Sequence, residues 1–385
     1  MIKFNVVFQS LLVSLGAFLF MQGCQSKQDG MNSNSAKTVS LPRDTVPDKK
    51  MKDLDPKGEK PEWASDIKDN MQVVIEKLVS FNAPPIETST AEAARKNPTP
   101  TDAVMAVMKE NSIPMPPTQV DTTGKDITVK GGKIHARIYT PTGVGPFPVI
   151  VYYHGGGWVI ANLDTYHASA QGLSEQAGAV VVSVHYRQGP EHKFPTAHND
   201  SFAAYEWVTK NAESLNGDAN RIAVVGESAG GNLAANVSIM ARDKGIQLPV
   251  HQVLVYPIAD NNMESDSYKK FANAKPLSKA MMAWFFDNYL SGKSMSSDPR
   301  IALVKANLKG LPPTTIINAG IDPLLSEGEL LRDKLKGADV EVNFKKYDGV
   351  THEFFGMAAI VPEAKEAQAF AAQELKDAFE GSARK

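Results

Sequence analysis

The sequence is poor in the features that mark several protein classes. It has one cysteine in 385 residues. That count rules out an intramolecular disulfide and leaves no cysteine cluster for a metal. It lacks a charge bias: 41 Lys+Arg stand against 43 Asp+Glu, a formal net charge of −2. Without a basic field there is no electrostatic footprint for nucleic acid, and without an acidic block no solvating tail. Aromatic residues make up only 8%, yet the hydrophobic share of 42% is enough for a packed core. The length suits one large domain with a subdomain, or two domains.

The position of the single cysteine is informative. It closes the stretch "MIKFNVVFQSLLVSLGAFLFMQGC". Lys3 supplies a positive start, Leu11 to Met21 an apolar run of export-signal length, and Gly23 a small residue just before Cys24. The run is short for a membrane span unless counted from Phe4, so a secretory signal is the better reading. The junction resembles a bacterial lipoprotein signal, in which such a cysteine is lipidated and becomes the mature N-terminus. The rival is an ordinary signal or anchor with an incidental cysteine. The resemblance implies export to the cell envelope and a lipid anchor, and Gln25 leans towards an outer membrane. The expected organisation is a signal over 1–23, then Cys24 and a flexible polar tether over 24–60. Proline-broken helices follow over 61–118, and then a catalytic body over 119–385.

Within 61–118, Ile67, Met71, Val74, Ile75 and Leu78 recur at helical spacing. A second helix is expected to be capped by Thr101 or Asp102. From residue 126 the pattern changes to a hairpin around Gly131-Gly132. Short apolar strands then alternate with helical segments. Strands are expected near 148–153, 179–185, 221–225, 250–256, 314–318 and 340–347. Helices are expected near 164–177, 197–212, 229–243, 325–336 and 361–379. This alternation predicts an α/β fold with a mostly parallel central sheet covered on both faces. Residues 264–308 break the rhythm, and are expected to join the N-terminal helices as a lid.

The strongest chemical signal is Gly226-Glu227-Ser228-Ala229-Gly230. A Val-rich strand leads into it and a helix follows, the context G-x-S-x-G requires. A serine nucleophile needs a general base. Of eight histidines, only His251 and His352 follow Ser228. His251 starts a strand, whereas His352 sits in a loop beyond one, where catalytic groups are carried. The acid that orients the imidazole is expected to be Asp322, which follows the strand before the histidine strand. Asp260 is the second choice. Each aspartate has a plainer reading as a helix cap.

A glycine triplet, Gly155 to Gly157, follows the strand "VYYH". A phosphate loop would need a following Lys and Ser/Thr, and a dinucleotide fingerprint would need glycine at Ile160; neither is present. What remains is an oxyanion hole. The N–H groups of Gly155 and Gly156, joined by that of Ala229, would meet the negative oxygen of acyl transfer. Trp158 is expected to wall the pocket or simply to pack, and His154 to hold the loop.

These residues resemble the hormone-sensitive-lipase-like esterases, a group with the α/β-hydrolase fold. The likeness runs from about 120 to 360 through "HGGGW", "VHYRQGPEHKFPTAHND", "GESAGGN", "IDPLLSEGE" and "GVTHEFFGM". Glu227 replaces that family's usual aspartate, and "HEF" its usual "HGF". The resemblance implies a helical cap over the site. It also implies hydrolysis of short-chain carboxylic esters through Ser228, His352 and Asp322, with no metal or organic cofactor. The same groups would serve an amidase or transacylase, and the scaffold alone would serve a ligand-binding protein.

Overall fold

A computed structural model describes residues 53–383. The export signal, Cys24 and most of the tether lie outside the described residues. The strands are β1 (Val120–Val129), β2 (Gly132–Pro141), β3 (Phe147–Tyr153), β4 (Val180–His185), β5 (Gly217–Glu227), β6 (Gln252–Val255), β7 (Thr314–Ile321) and β8 (Val342–Thr351). The helices are α1 (Asp69–Ser80), α2 (Ala91–Ala94), α3 (Pro100–Glu110), α4 (His167–Ala177), α5 (Thr196–Asn211), α6 (Ala229–Asp243), α7 (Asp266–Lys270), α8 (Lys279–Tyr289), α9 (Leu325–Gly337) and α10 (Pro362–Ala383).

The strands form one sheet in the order β1-β2-β4-β3-β5-β6-β7-β8. The pairings β1/β2 and β2/β4 are antiparallel, and every pair from β4/β3 to β7/β8 is parallel. The apolar runs are continuous because both faces of the sheet are covered. Alternate residues of one strand go to opposite cores: Val149, Val151 and Tyr153 to one, Ile150 and Tyr152 to the other. Helices α5 and α6 contribute Phe202 and Leu233 to the first core, while α4 and α10 contribute Leu173 and Leu375 to the second.

Three sequence expectations need correction. The packed body begins before residue 61. Leu54 is buried, its N–H donates to Asn70 Oδ1 at 3.0 Å, and Lys57 and Gly58 donate to the Glu76 carboxylate at 2.8 and 3.0 Å. A polar stretch can be held by hydrogen bonds that composition does not reveal. The cap of α3 is Thr99 rather than Thr101 or Asp102: Pro100 takes the first helical position, and Asp102 reaches back to complete a capping box. Finally, β1 starts at Val120, six residues ahead of the alternating pattern, because β2 pairs with it along its whole length.

The parallel strands end on one side of the sheet. That side holds the residues after β3, β5, β7 and β8, where an open α/β sheet places its functional groups. Helix α8 of the 264–308 insertion stands beside the N-terminal segment there: Trp284 Nε1 donates to the Ser89 carbonyl at 3.0 Å.

Candidate active site

Ser228 stands between the end of β5 and the start of α6, with φ +55° and ψ −118°. This is strained backbone for a residue with a side chain, and a structure retains such strain only where its surroundings impose it. The surroundings here are close. A Cβ on Gly226 would come within 2.0 Å of the Gly230 carbonyl oxygen, and one on Gly230 within 1.9 Å of the Tyr153 carbonyl oxygen. The glycines flanking Ser228 are therefore steric requirements of the turn. The Ser228 N–H donates to the Val255 carbonyl at 2.9 Å, tying the turn to β6.

The structure brings the three anticipated side chains into one chain of hydrogen bonds. His352 Nε2 lies 2.9 Å from Ser228 Oγ, and His352 Nδ1 lies 2.6 Å from Asp322 Oδ2. Asp322 is also fixed from its other oxygen, which accepts the Leu324 N–H at 2.9 Å. All three residues are buried. Burial works against a charged His352, but the charge and hydrogen bond of Asp322 outweigh it and raise the imidazole above its ordinary value. Such a group takes a proton from a hydroxyl more readily than an isolated histidine does.

The two rivals stand elsewhere. His251 is held by Thr315 Oγ1 at 2.8 Å, and burial pushes it down to about 4. Asp260 accepts the neighbouring Asn261 N–H at 2.8 Å. His154 stacks on Tyr186, with centroids 4.4 Å apart, and shares a 2.8 Å contact with the Gly155 carbonyl. Burial, helped by His185, pushes it down to about 3, so it is a neutral fixture of the loop. Trp158 is fully buried and stacks on Tyr289 at 4.9 Å, so it packs the core.

A cleft of about 710 Å³ opens over Ser228 and His352. Gly156 and Gly157 line it, but Gly155 does not. Gly155 lies beneath the Tyr166 hydroxyl, which would sit 2.2 Å from a Cβ there, and its carbonyl accepts from Tyr186 at 3.2 Å. Of the triplet, Gly156 and Gly157 face the cleft, and Gly155 lies behind them. The third glycine also has a packing reason. Its φ is +59°, and a Cβ would meet the Phe285 ring at 2.2 Å. Ala229 is the first residue of α6, so its N–H has no partner within the helix.

A buried polar layer, not assigned from the sequence, lies behind these residues. Glu227 is fully buried at the end of β5, where it accepts the hydroxyls of Tyr152, at 2.5 Å, and of Tyr256. Burial, then the charge of Glu353, pushes it up to about 7. It joins β3, β5 and the end of β6 directly under the Ser228 turn. Tyr256 also lies against the His352 ring, with centroids 4.5 Å apart. One clue was available: an acid at 227 directly follows the buried run 222–226 at the end of β5, and a buried acid demands partners.

Known proteins resemble this chain in sequence and in fold. The pattern of the alpha/beta hydrolase fold family matches residues 150–356. A carboxylic ester hydrolase of Mycobacterium tuberculosis is 39% identical over 253 residues, covering 64% of this chain and 67% of the relative. An ethyl acetate hydrolase of Pseudomonas putida is 32% identical over 65% of this chain and 80% of its own length. Among solved structures, an esterase of Pyrobaculum calidifontis superposes with a TM-score of 0.69 at 36% identity. It covers 75% of this chain and 94% of that one. A thermostable esterase of Pseudomonas putida superposes with a TM-score of 0.73 at 32% identity, over 81% and 98% of the two chains.

Proposed function

The chain belongs to the alpha/beta hydrolase fold family, and from that premise we propose that it is a serine carboxylesterase acting through Ser228, His352 and Asp322. The observation that carries the reading is the unbroken path Ser228 Oγ–His352 Nε2 at 2.9 Å and His352 Nδ1–Asp322 Oδ2 at 2.6 Å, opening into a cleft. Asp322 accepts a hydrogen bond from Nδ1–H, which keeps the proton on Nδ1 and leaves Nε2 as the acceptor facing the serine. Ser228 Oγ attacks the ester carbonyl as its proton passes to Nε2. The carbonyl oxygen becomes an anion that the N–H groups of Gly156, Gly157 and Ala229 stabilise, each donor contributing about 3–4 kcal/mol in the transition state. His352 then protonates the alcohol oxygen as its bond to the acyl carbon breaks. Water, deprotonated by the same imidazole, attacks the acyl-serine and returns the free enzyme with a carboxylic acid.

Two segments roof the cleft and take the role of a cap. Residues 82–100 supply Ile86 and Arg95, and the insertion supplies Met281 and Phe285. The Phe285 ring packs directly on Gly157, so the cap and the donor loop are one contact surface. Short acyl chains are the expected substrates, in keeping with the relative named an ethyl acetate hydrolase. A panel of esters of graded acyl length checks this. Highest kcat/KM is expected for acyl chains of a few carbons, and a rate that climbs steadily towards long chains would contradict it.

For location we propose export and lipidation at Cys24. Among the described residues no helix is long and apolar enough to cross a membrane; the proposal of an anchor is supported by the Gly23-Cys24 junction in the sequence. A Cys24→Ser variant is expected to leave the detergent phase, and one that still partitions with detergent contradicts lipidation.

A further inference from the structure

Beside Ser228 and His352 stands a carboxylate that the proposed reaction does not use. Glu353 directly follows His352 and has φ +68°, in the left-handed region that a side-chain-bearing residue occupies at a cost. There its side chain reaches back towards the site. The Tyr166 hydroxyl donates to Glu353 Oε1 at 2.6 Å, and that same oxygen lies 3.9 Å from His352 Nε2. The side chain is 18% exposed and forms part of the cleft wall. Among the described residues no lysine or arginine lies within ion-pair distance of it. Arg95 on the same wall is held by Glu191 at 2.7 Å, and Lys275 is exposed. Its ion-pair neighbour is His352, charged only when that ring is protonated, and a carboxylate with no permanent cation partner in a confined cleft projects its field into the space the substrate fills.

The position of that field follows from the chemistry proposed for Ser228. His352 Nε2 delivers the proton to the leaving alcohol, so the alcohol oxygen must come within hydrogen-bonding distance of it. Glu353 Oε1, close to the same nitrogen, then faces the first carbons of the alcohol. We propose that Glu353 is a specificity-determining residue that sets the charge of the leaving group. Esters of short amino alcohols, with an ammonium near the ester oxygen, are preferred; esters of hydroxy acids, with a carboxylate there, are rejected. This inference rests on the serine-esterase reading.

The test measures kcat/KM for acetate esters of size-matched neutral, cationic and anionic alcohols, and for a second series with the charge on the acyl side. Burial raises Glu353 above the ordinary carboxylate range, so the assay is run in mildly alkaline buffer. The wild type is expected to favour the cationic over the neutral alcohol by about tenfold, and to disfavour the anionic one by a similar factor. In Glu353→Gln, which can still accept from Tyr166, both ratios are expected to approach one. Glu353→Gly, which suits the left-handed backbone, is expected to do the same. Equal ratios in wild type and Glu353→Gln overturn the proposal, as does discrimination confined to the acyl-side series. Should both variants fold poorly, the wild type decides: its preference must weaken as salt is added, and no preference at low salt overturns the proposal. A wild type that hydrolyses the neutral ester through Ser228 without charge discrimination overturns this inference alone. Failure to hydrolyse any ester overturns the esterase reading first.

Discussion

Replacing Ser228 with alanine is expected to lower kcat for ester hydrolysis by at least about 10⁴-fold, because the acyl-enzyme route then has no nucleophile. The loss should fall on kcat far more than on KM, since the cleft walls and the cap remain. The fold should survive the change. The strain at φ +55° is imposed by the packing of Gly226 against Gly230 and of Gly230 against Tyr153, none of which involves Oγ. The Ser228 backbone N–H keeps its bond to Val255. Thermal unfolding of the variant within a few degrees of wild type, together with the rate loss, separates a chemical role from a structural one. A variant that retains most of the activity would remove Ser228 from the mechanism.

Asp322→Asn is expected to cost about 10⁴-fold in kcat with the geometry nearly intact. The asparagine oxygen can keep accepting the Leu324 N–H, as Asp322 Oδ1 does at 2.9 Å. Its NH₂ group then faces His352 Nδ1 in place of Oδ2. The imidazole must turn Nδ1 into an acceptor, so Nε2 carries the proton and cannot take one from Ser228. The pH profile adds a second readout. His352 must be neutral to act as base, and its pKa is raised because Asp322 outweighs burial. Wild-type kcat/KM is therefore lost as pH falls through a value above the ordinary histidine figure of about 6.5. In Asp322→Asn the main raising charge is gone and only Glu353 and Glu227 still oppose burial, so the remaining activity should titrate at lower pH. An unshifted profile would mean that Asp322 does not govern the imidazole.

The parts of the site legible in the sequence are those with a local steric or topological cause. Gly226 and Gly230 leave no room for a Cβ, so the serine turn is visible as a spacing. Asp322 and His352 follow consecutive strands of one sheet, so chain order alone picks them out. The alternation of strands and helices likewise predicts the sheet, since it leaves few ways to cover both faces. What the sequence hides depends on distant contacts. Gly155 and Gly157 look alike in a triplet; only the Tyr166 hydroxyl over one and the Phe285 ring over the other tell which faces the cleft. Tyr256 and Glu227 are 29 residues apart, and nothing in either segment announces their hydrogen bond. Leu54 sits in a stretch whose composition reads as tether, and it becomes structure only through Asn70. Glu353 is a departure from the resembled pattern, but its bearing on His352 Nε2 exists only in three dimensions.

The central claim is that Ser228 is the nucleophile. Its most direct test is to treat the protein with an activated phosphonate ester, which esterifies an activated serine, and to map the adduct by mass spectrometry. One phosphonyl group per chain on the peptide containing Ser228, formed in step with loss of esterase activity, is the predicted result. Full loss of activity with the label on another residue, or full activity with Ser228 labelled, would contradict it.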